Sequence, residues 1–313
     1  MSQLKIGVVG YGNWGKNHVR VLTELNLLGG VYDKAFSENK STNQIKFYES
    51  LDELIDNVQA LIISSPANTH FEIAKKAIKK VDVLIEKPVA MKTSDVLSLQ
   101  KLEKKYKNLI VVGHQLHFHP AIVKMQQLIK NGEIGKLKWI YSNRLNMGKI
   151  RPNENVLWSF APHDLSLIFK FITSEVTNLS VQASKILNNK IEDTTLSLLD
   201  FKNGQKAHVF VSWIHPFKEQ RFVVVGNEGS LVFSDSKKSN KLQKYKTKIQ
   251  KNGFISSHDM KNISYVDREP LKEQALYFIE CIKKRKVTIN NSDDALKVTK
   301  ILEKSSKIIN KNK

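Results

Sequence analysis

Three groups of residues in this 313-residue chain could do chemistry. The first is the glycine pattern Gly10-x-Gly12-x-x-Gly15, within VVGYGNWGKNHVRVL. An apolar run precedes it and a helical pattern follows. Gly10 permits a tight turn, Gly12 lets a pyrophosphate approach the backbone, and Gly15 lets the helix pack on the strand. The unpaired N–H groups and positive dipole end of that helix then favour phosphate. Asp33 closes the next apolar run, where a carboxylate can accept hydrogen bonds from the adenosine ribose hydroxyls. It would repel a 2′-phosphate, so the pattern reads as an NAD site, with NADP disfavoured and Lys34 softening the preference. The second group is Glu86-Lys87-Pro88, which follows the apolar run VLI; ligands of open α/β sheets bind at that end of a strand. The third is His163-Asp164, inside the otherwise apolar stretch LWSFAPHDLSLIFKF. An imidazole with a reference pKa of ~6.5 suits proton transfer near neutral pH.

These groups need a frame. Leu4–Val9, Leu28–Asp33, Val58–Ser64, Asp82–Glu86 and Leu109–Val112 read as buried strands. Amphipathic segments separate most of them, among them 68–80 and 93–107, and Ser50-Leu51-Asp52-Glu53 reads as a capping box opening a short helix. Strand–helix alternation with continuously apolar strands predicts a doubly wound parallel sheet. Past Pro120 the pattern changes. A helix over 121–130 and a strand over 136–147 precede a helix expected from about Ala161. Alternating stretches follow at 176–183, 194–201, 206–214, 221–225 and 230–233, then helices at 270–284 and 292–309. The expected fold class is α/β: a Rossmann domain over 1–118, then an α+β domain over 119–313 with a large, mostly antiparallel sheet.

Composition narrows the class. The chain is 41% hydrophobic, as in a folded soluble protein, and its apolar runs are far shorter than the ~20 residues of a membrane span. The N-terminal apolar stretch runs into glycines and lacks the features of a secretory signal. Cys281 is the single cysteine, so no internal disulfide can form. Together these predict a cytoplasmic protein with no membrane insertion. The net charge of +20 attracts anions, but it comes mostly from lysines spread along the chain. The densest stretches, 237–251 and 304–313, contain almost no aromatics and no recognition motif, so no specific nucleic-acid partner is expected. His114, His117 and His119 are spaced like metal ligands, but no cysteine or nearby carboxylate completes a set, and no metal is expected.

The chain resembles the glucose–fructose oxidoreductase and inositol dehydrogenase family (Gfo/Idh/MocA) over essentially its whole length. The resemblance rests on Gly10–Gly15, SPANTHFEIAKKAI (65–78), EKP (86–88), VGHQLHFHPAI (112–122), NGEIGKL (131–137) and APHD (161–164). It implies a cofactor set of Gly10, Tyr11, Gly12, Asn13, Trp14, Gly15 and Asp33. Ser64, Ser65, Pro66, Asn68, His70, Glu86, Lys87 and Gln115 join it toward the nicotinamide. It implies Lys87 and His163 as the catalytic pair, Lys87 beside the reacting hydroxyl and His163 as acid–base. Many relatives carry an aspartate four residues before that histidine. Here the position is Ser159, which cannot supply the same charge.

The segment 142–164 concentrates Arg144, Lys149 and Arg151 with several asparagines. Guanidinium groups grip phosphate and asparagines hydrogen-bond sugars, so it reads as a substrate-binding stretch. The expected substrate contacts are Lys87, His117, Arg144, Asn146, Arg151, Asn155, Trp158, Ser159 and His163. This stretch is similar to the family branch that oxidises C3 of UDP-N-acetylglucosamine, whose 3-keto product passes to an aminotransferase in lipid A or surface-polysaccharide synthesis. The implied partners are that sugar nucleotide, a downstream aminotransferase and a second copy of the chain, as homodimer or homotetramer. Alternatives are the UDP-N-acetylglucosaminuronate branch, another sugar or cyclitol dehydrogenase, and a non-catalytic NAD-binding sensor.

Overall fold

The computed structural model describes residues 4–35, 45–148, 154–187, 190–249, 255–256 and 259–311. The chain divides into two compact units. One comprises residues up to Gln115 together with Glu269–Lys300, the other Leu116–Arg268 with the residues from Ile301 onward.

The first unit begins with five strands and four helices in alternation: β1 (Ile6–Val9), α1 (Asn13–Glu24), β2 (Leu28–Tyr32), α2 (Leu51–Asp56), β3 (Ala60–Ile63), α3 (His70–Ala77), β4 (Asp82–Glu86), α4 (Thr93–Tyr106) and β5 (Ile110–Gly113). The strands are all parallel, in the order β2-β1-β3-β4-β5. Each strand is apolar at successive positions because both sheet faces are covered. Alternate residues therefore enter different cores. Val9, Leu61, Ile63, Val83 and Ile85 pack with Ala74, Val96 and Leu99. Ile6, Val8, Ile62 and Leu84 pack with Val19, Leu22 and Phe278. Ser50 caps α2 as expected, accepting from Glu53 N at 3.1 Å. The reciprocal bond differs: the Glu53 carboxylate takes Glu49 N–H at 3.1 Å.

The second unit holds α5 (Pro120–Lys130), β6 (Leu137–Met147), α6 (Val156–Phe171), β7 (Val176–Ser184), β8 (Thr194–Phe201), β9 (Lys206–Ser212), β10 (Ile214–Gly226), β11 (Gly229–Ser234) and β12 (Leu242–Lys246). The short strands β13 (Lys248–Ile249), β14 (Ile255–Ser256) and β15 (Met260–Asn262) follow. Its eight-stranded sheet runs β15-β12-β11-β10-β6-β9-β8-β7, and only the β6–β9 pair is parallel. Alternation is clear on β8, where Thr195, Ser197, Leu199 and Phe201 are buried while Leu198 is exposed. Helix α6 packs against β6, β8 and β9.

Two expectations need correction. Helix α6 starts at Val156, not Ala161, because Asn155 caps it by accepting Trp158 N–H at 3.2 Å. And α7 (Pro270–Lys284), with the first part of α8 (Ser292–Lys311), belongs to the first unit rather than to one C-terminal domain. Phe278 and Ile279 complete one core of the parallel sheet, Ala295 the other. Among the described residues no helix is long and apolar enough to cross a membrane.

Candidate active site

In the first unit, the sheet order reverses direction about β1 and β3, and the loops after these two strands meet. This is where open α/β sheets bind ligands. Gly10 has φ +92°, and a Cβ there would lie 2.7 Å from Ser65 N, so only glycine fits. A Cβ on Gly15 would lie 1.9 Å from Gly10 O. Gly12 is the opposite case: a Cβ there would meet nothing within 4 Å, leaving open space over the N-terminus of α1. The loop is pinned from below. The Ser64 hydroxyl donates to Val9 O and Gly10 O at 3.1 Å each. Asp33 follows β2, and its Oδ2 accepts Tyr11 N–H at 2.5 Å while Oδ1 accepts Ala35 N–H at 2.8 Å. A carboxylate has about four acceptor positions, so capacity remains for ribose hydroxyls. The open space over Gly12, the N-terminal end of α1 and the adjacent carboxylate all fit a dinucleotide.

Beside this cradle, β4 ends at Glu86, and Lys87 and Pro88 follow it. Lys87 is half-buried, at the same sheet edge as the glycine loop. Glu86 is buried, and its Oε1 accepts from His18 Nε2 at 2.9 Å, so it lies beneath the cradle rather than lining it. Burial would push its carboxyl up; the hydrogen bond and charge of His18, with smaller help from Trp14 and the Lys87 charge, more than offset this and hold it below the usual range. His70 sits at the start of α3. Its Nδ1 lies 2.8 Å from Pro88 O and its Nε2 2.8 Å from Ser65 O. Burial pulls its pKa below the ordinary value even though both carbonyls favour the protonated ring. His70 is thus wedged between two loops and enclosed in the fold, its neutral ring donating to one of these carbonyls. Ser65 Oγ pairs with Thr69 Oγ1 at 2.7 Å; Pro66 and Asn68 are exposed, and Gln115 is half-buried after β5.

In the second unit, α6 carries Ser159 on a buried position and His163 partly exposed one turn later. Asp164 is 1% exposed and is gripped by Arg144, Nε to Oδ2 at 2.9 Å and Nη2 to Oδ1 at 3.0 Å. Ser142 Oγ adds a bond to Oδ1 at 2.7 Å. Arg144 thus gives two of its donors to a buried ion pair, rather than only facing outward as a phosphate-binding residue would. Trp158 is buried, and its indole N–H donates to Ser306 Oγ at 2.9 Å. Asn155 spends its side chain on the helix cap and on Glu192 Oε2, 2.9 Å from its Nδ2. Asn146 is half-buried near the end of β6 and His117 is buried before α5. Arg151, with Lys149, lies outside the described residues. Among the described residues no cluster of three or more His, Cys, Asp or Glu could hold a metal.

His18 is the residue the sequence did not single out. The signal was there: it lies one turn past Trp14 and three residues after Gly15, on the face of α1 that packs inward.

Comparison with known proteins agrees with this architecture. Residues 4–114 match the family model "Oxidoreductase family, NAD-binding Rossmann fold", and residues 122–232 match the "GFO/IDH/MocA C-terminal domain". The UDP-N-acetylglucosamine 3-dehydrogenase of Acidithiobacillus ferrooxidans is 26% identical over 217 residues, covering 68% of each chain. The inositol 2-dehydrogenase/D-chiro-inositol 3-dehydrogenase of Lactiplantibacillus plantarum is 25% identical, covering 72% of this chain and 70% of its own. The solved structure of the Acidithiobacillus ferrooxidans enzyme superposes with TM-score 0.85 at 20% identity, over 98% of both chains. GenD2 from gentamicin A biosynthesis, solved in complex with NAD, gives 0.82 at 19% identity, over 100% of this chain and 96% of its own. The chain belongs to the GFO/IDH/MocA family of NAD-binding oxidoreductases.

Proposed function

We propose that this protein oxidises a secondary hydroxyl of a sugar nucleotide, namely C3 of UDP-N-acetylglucosamine, giving the 3-keto sugar. The observation that carries the reading is Lys87: a half-buried lysine at the sheet edge beside an open dinucleotide cradle. Similarity to the UDP-N-acetylglucosamine 3-dehydrogenase supports the substrate. In this reading His163 takes the hydroxyl proton as general base. The Lys87 ammonium stabilises the developing alkoxide charge. Gly10, Gly12 and Gly15 would hold the pyrophosphate of NAD and Asp33 its ribose, and the nicotinamide would supply the hydride acceptor for the carbinol carbon. A 3-keto sugar nucleotide is a ready substrate for transamination, so an aminotransferase is the expected consumer.

The reading includes a homodimer or homotetramer. Trp139 and Leu198, 41% and 46% exposed, lie on the sheet face turned away from α6, and light scattering tests whether a second copy covers them. Turnover is tested by following NADH formation with UDP-N-acetylglucosamine, with UDP-N-acetylglucosaminuronate and myo-inositol in parallel. Inositol turnover alone would move the substrate assignment to the cyclitol branch, which the Lactiplantibacillus plantarum relative represents. Tight NAD binding with no turnover of any sugar or cyclitol would favour a non-catalytic sensor.

A further inference from the structure

A carboxylate at the end of a fully buried strand is costly unless donors surround it. Glu86 has two. His18 Nε2 donates to Oε1 at 2.9 Å and Lys87 N–H approaches Oε2 at 3.3 Å, while the Trp14 ring stands edge-on to the His18 ring, centroids 6.1 Å apart. Room for the carboxylate is provided by Gly113 on β5, directly opposite, where a Cβ would lie 2.9 Å from Glu86 Oε2. Trp14 and His18 both stand on α1, the helix whose N-terminus forms the cradle. On the far side of Lys87, the carbonyls of Pro88 and Ser65 both face the buried His70 ring, 2.8 Å from its Nδ1 and Nε2 respectively, and the ring donates to one of them. Lys87 is thus the half-exposed residue between two buried polar contacts, one to α1 and one to the loop after β3. Glu86 itself is too enclosed to touch substrate.

We propose that the Trp14–His18–Glu86 network is a positioning device for Lys87, fixing the lysine's backbone against α1 so that filling the dinucleotide cradle and placing the ammonium are coupled. The proposal rests on the reading of Lys87 as a catalytic residue. Its physical basis is rigidity: His18 and Glu86 are buried and joined by a short bond, so a shift of α1 on binding phosphate reaches residue 87 through two hydrogen bonds. Coupling of this kind is reciprocal.

The test uses the full chain and five variants: Glu86→Gln, His18→Leu, His18→Gln, Lys87→Ala and, for assignment, Lys87→Arg. Glutamine at 18 can keep a donor near the place of Nε2; leucine cannot. Thermal unfolding reports whether each variant folds. In protein labelled with [15N]lysine, the Lys87 amide is assigned with Lys87→Arg and followed during NADH titration, with no sugar present. The expected result is movement of that resonance in the wild type and in His18→Gln. It should be lost at saturating NADH in Glu86→Gln and His18→Leu. In turnover, these two variants should lose about tenfold or more in kcat, with KM for the sugar nucleotide within about threefold, and His18→Gln should recover most of the loss. Equal amide movement in all proteins overturns the proposal. If His18→Leu does not fold, Glu86→Gln decides alone. A Lys87→Ala protein as active as the wild type would instead sink the catalytic reading, and the amide titration would still decide the coupling.

Discussion

Arg144 grips Asp164, the residue next to His163, through two parallel hydrogen bonds of 2.9 and 3.0 Å. The arginine stands on β6 and the aspartate on α6, so the pair fixes the rotation of the helix that carries the histidine. Both side chains are nearly enclosed, 11% and 1% exposed.

Removing one partner of such a pair strands a buried charge. Arg144→Ala should destabilise the protein by roughly 3–5 kcal/mol, measured by urea unfolding. Arg144→Lys should recover only part of it, because a lysine cannot make both bonds. An Arg144→Ala protein as stable as the wild type, with only weakened sugar-nucleotide binding, would assign the arginine to the substrate.

The cradle glycines should separate stability from binding. Gly15→Ala drives a methyl into Gly10 O, and backbone cannot swing aside, so both stability and NAD affinity should fall, the former by about 1–3 kcal/mol or more. At Gly12 the backbone is ordinary, φ −72°, and a methyl meets nothing. Gly12→Ala should therefore unfold near the wild-type temperature yet bind NAD at least about tenfold more weakly, since the methyl occupies the pyrophosphate's approach. Calorimetric unfolding and NADH fluorescence titration check the contrast.

Much of this was legible beforehand. The parallel strands announced themselves as continuous apolar runs, since both faces of that sheet are covered, and the glycine pattern needs its strand and helix for steric reasons. Lys87 stood out because a buried strand precedes it. What was not legible was the direction of side chains between Ser142 and Asp164. Arginine, asparagine and tryptophan make an equally good substrate loop or helix cap by composition. Only the fold shows that Arg144 turns to Asp164, Asn155 to the helix end and Trp158 to Ser306. The return of α7 to the parallel sheet was likewise hidden, because an amphipathic helix does not state which sheet it covers.

Acid should weaken the fold through His114. Burial holds this imidazole at about 4, below its ordinary 6.5, with the nearby Asp294 and Glu86 charges offsetting little of it. The unfolded chain therefore binds the proton first as pH falls. The stability it contributes is complete above pH ~6.5 and is lost progressively down to pH ~4, by about 3 kcal/mol at most. His119, also lowered by burial, acts in the same direction. Urea unfolding from pH 4 to 7 should show that slope, and His114→Asn should flatten it. An unchanged slope in the variant would assign the acid sensitivity elsewhere.

We propose Lys87 and His163 as the pair that serves oxidation of a sugar-nucleotide hydroxyl by NAD. The most direct test is NADH absorbance with purified protein, NAD and UDP-N-acetylglucosamine, the ketone being drawn off by an amine donor and an aminotransferase. The account predicts NADH formation that falls by about 10²-fold or more in Lys87→Ala and in His163→Ala, both still binding NAD. NADH formation that survives both substitutions, or a protein that binds NAD and turns over neither this nor any related sugar, would contradict it.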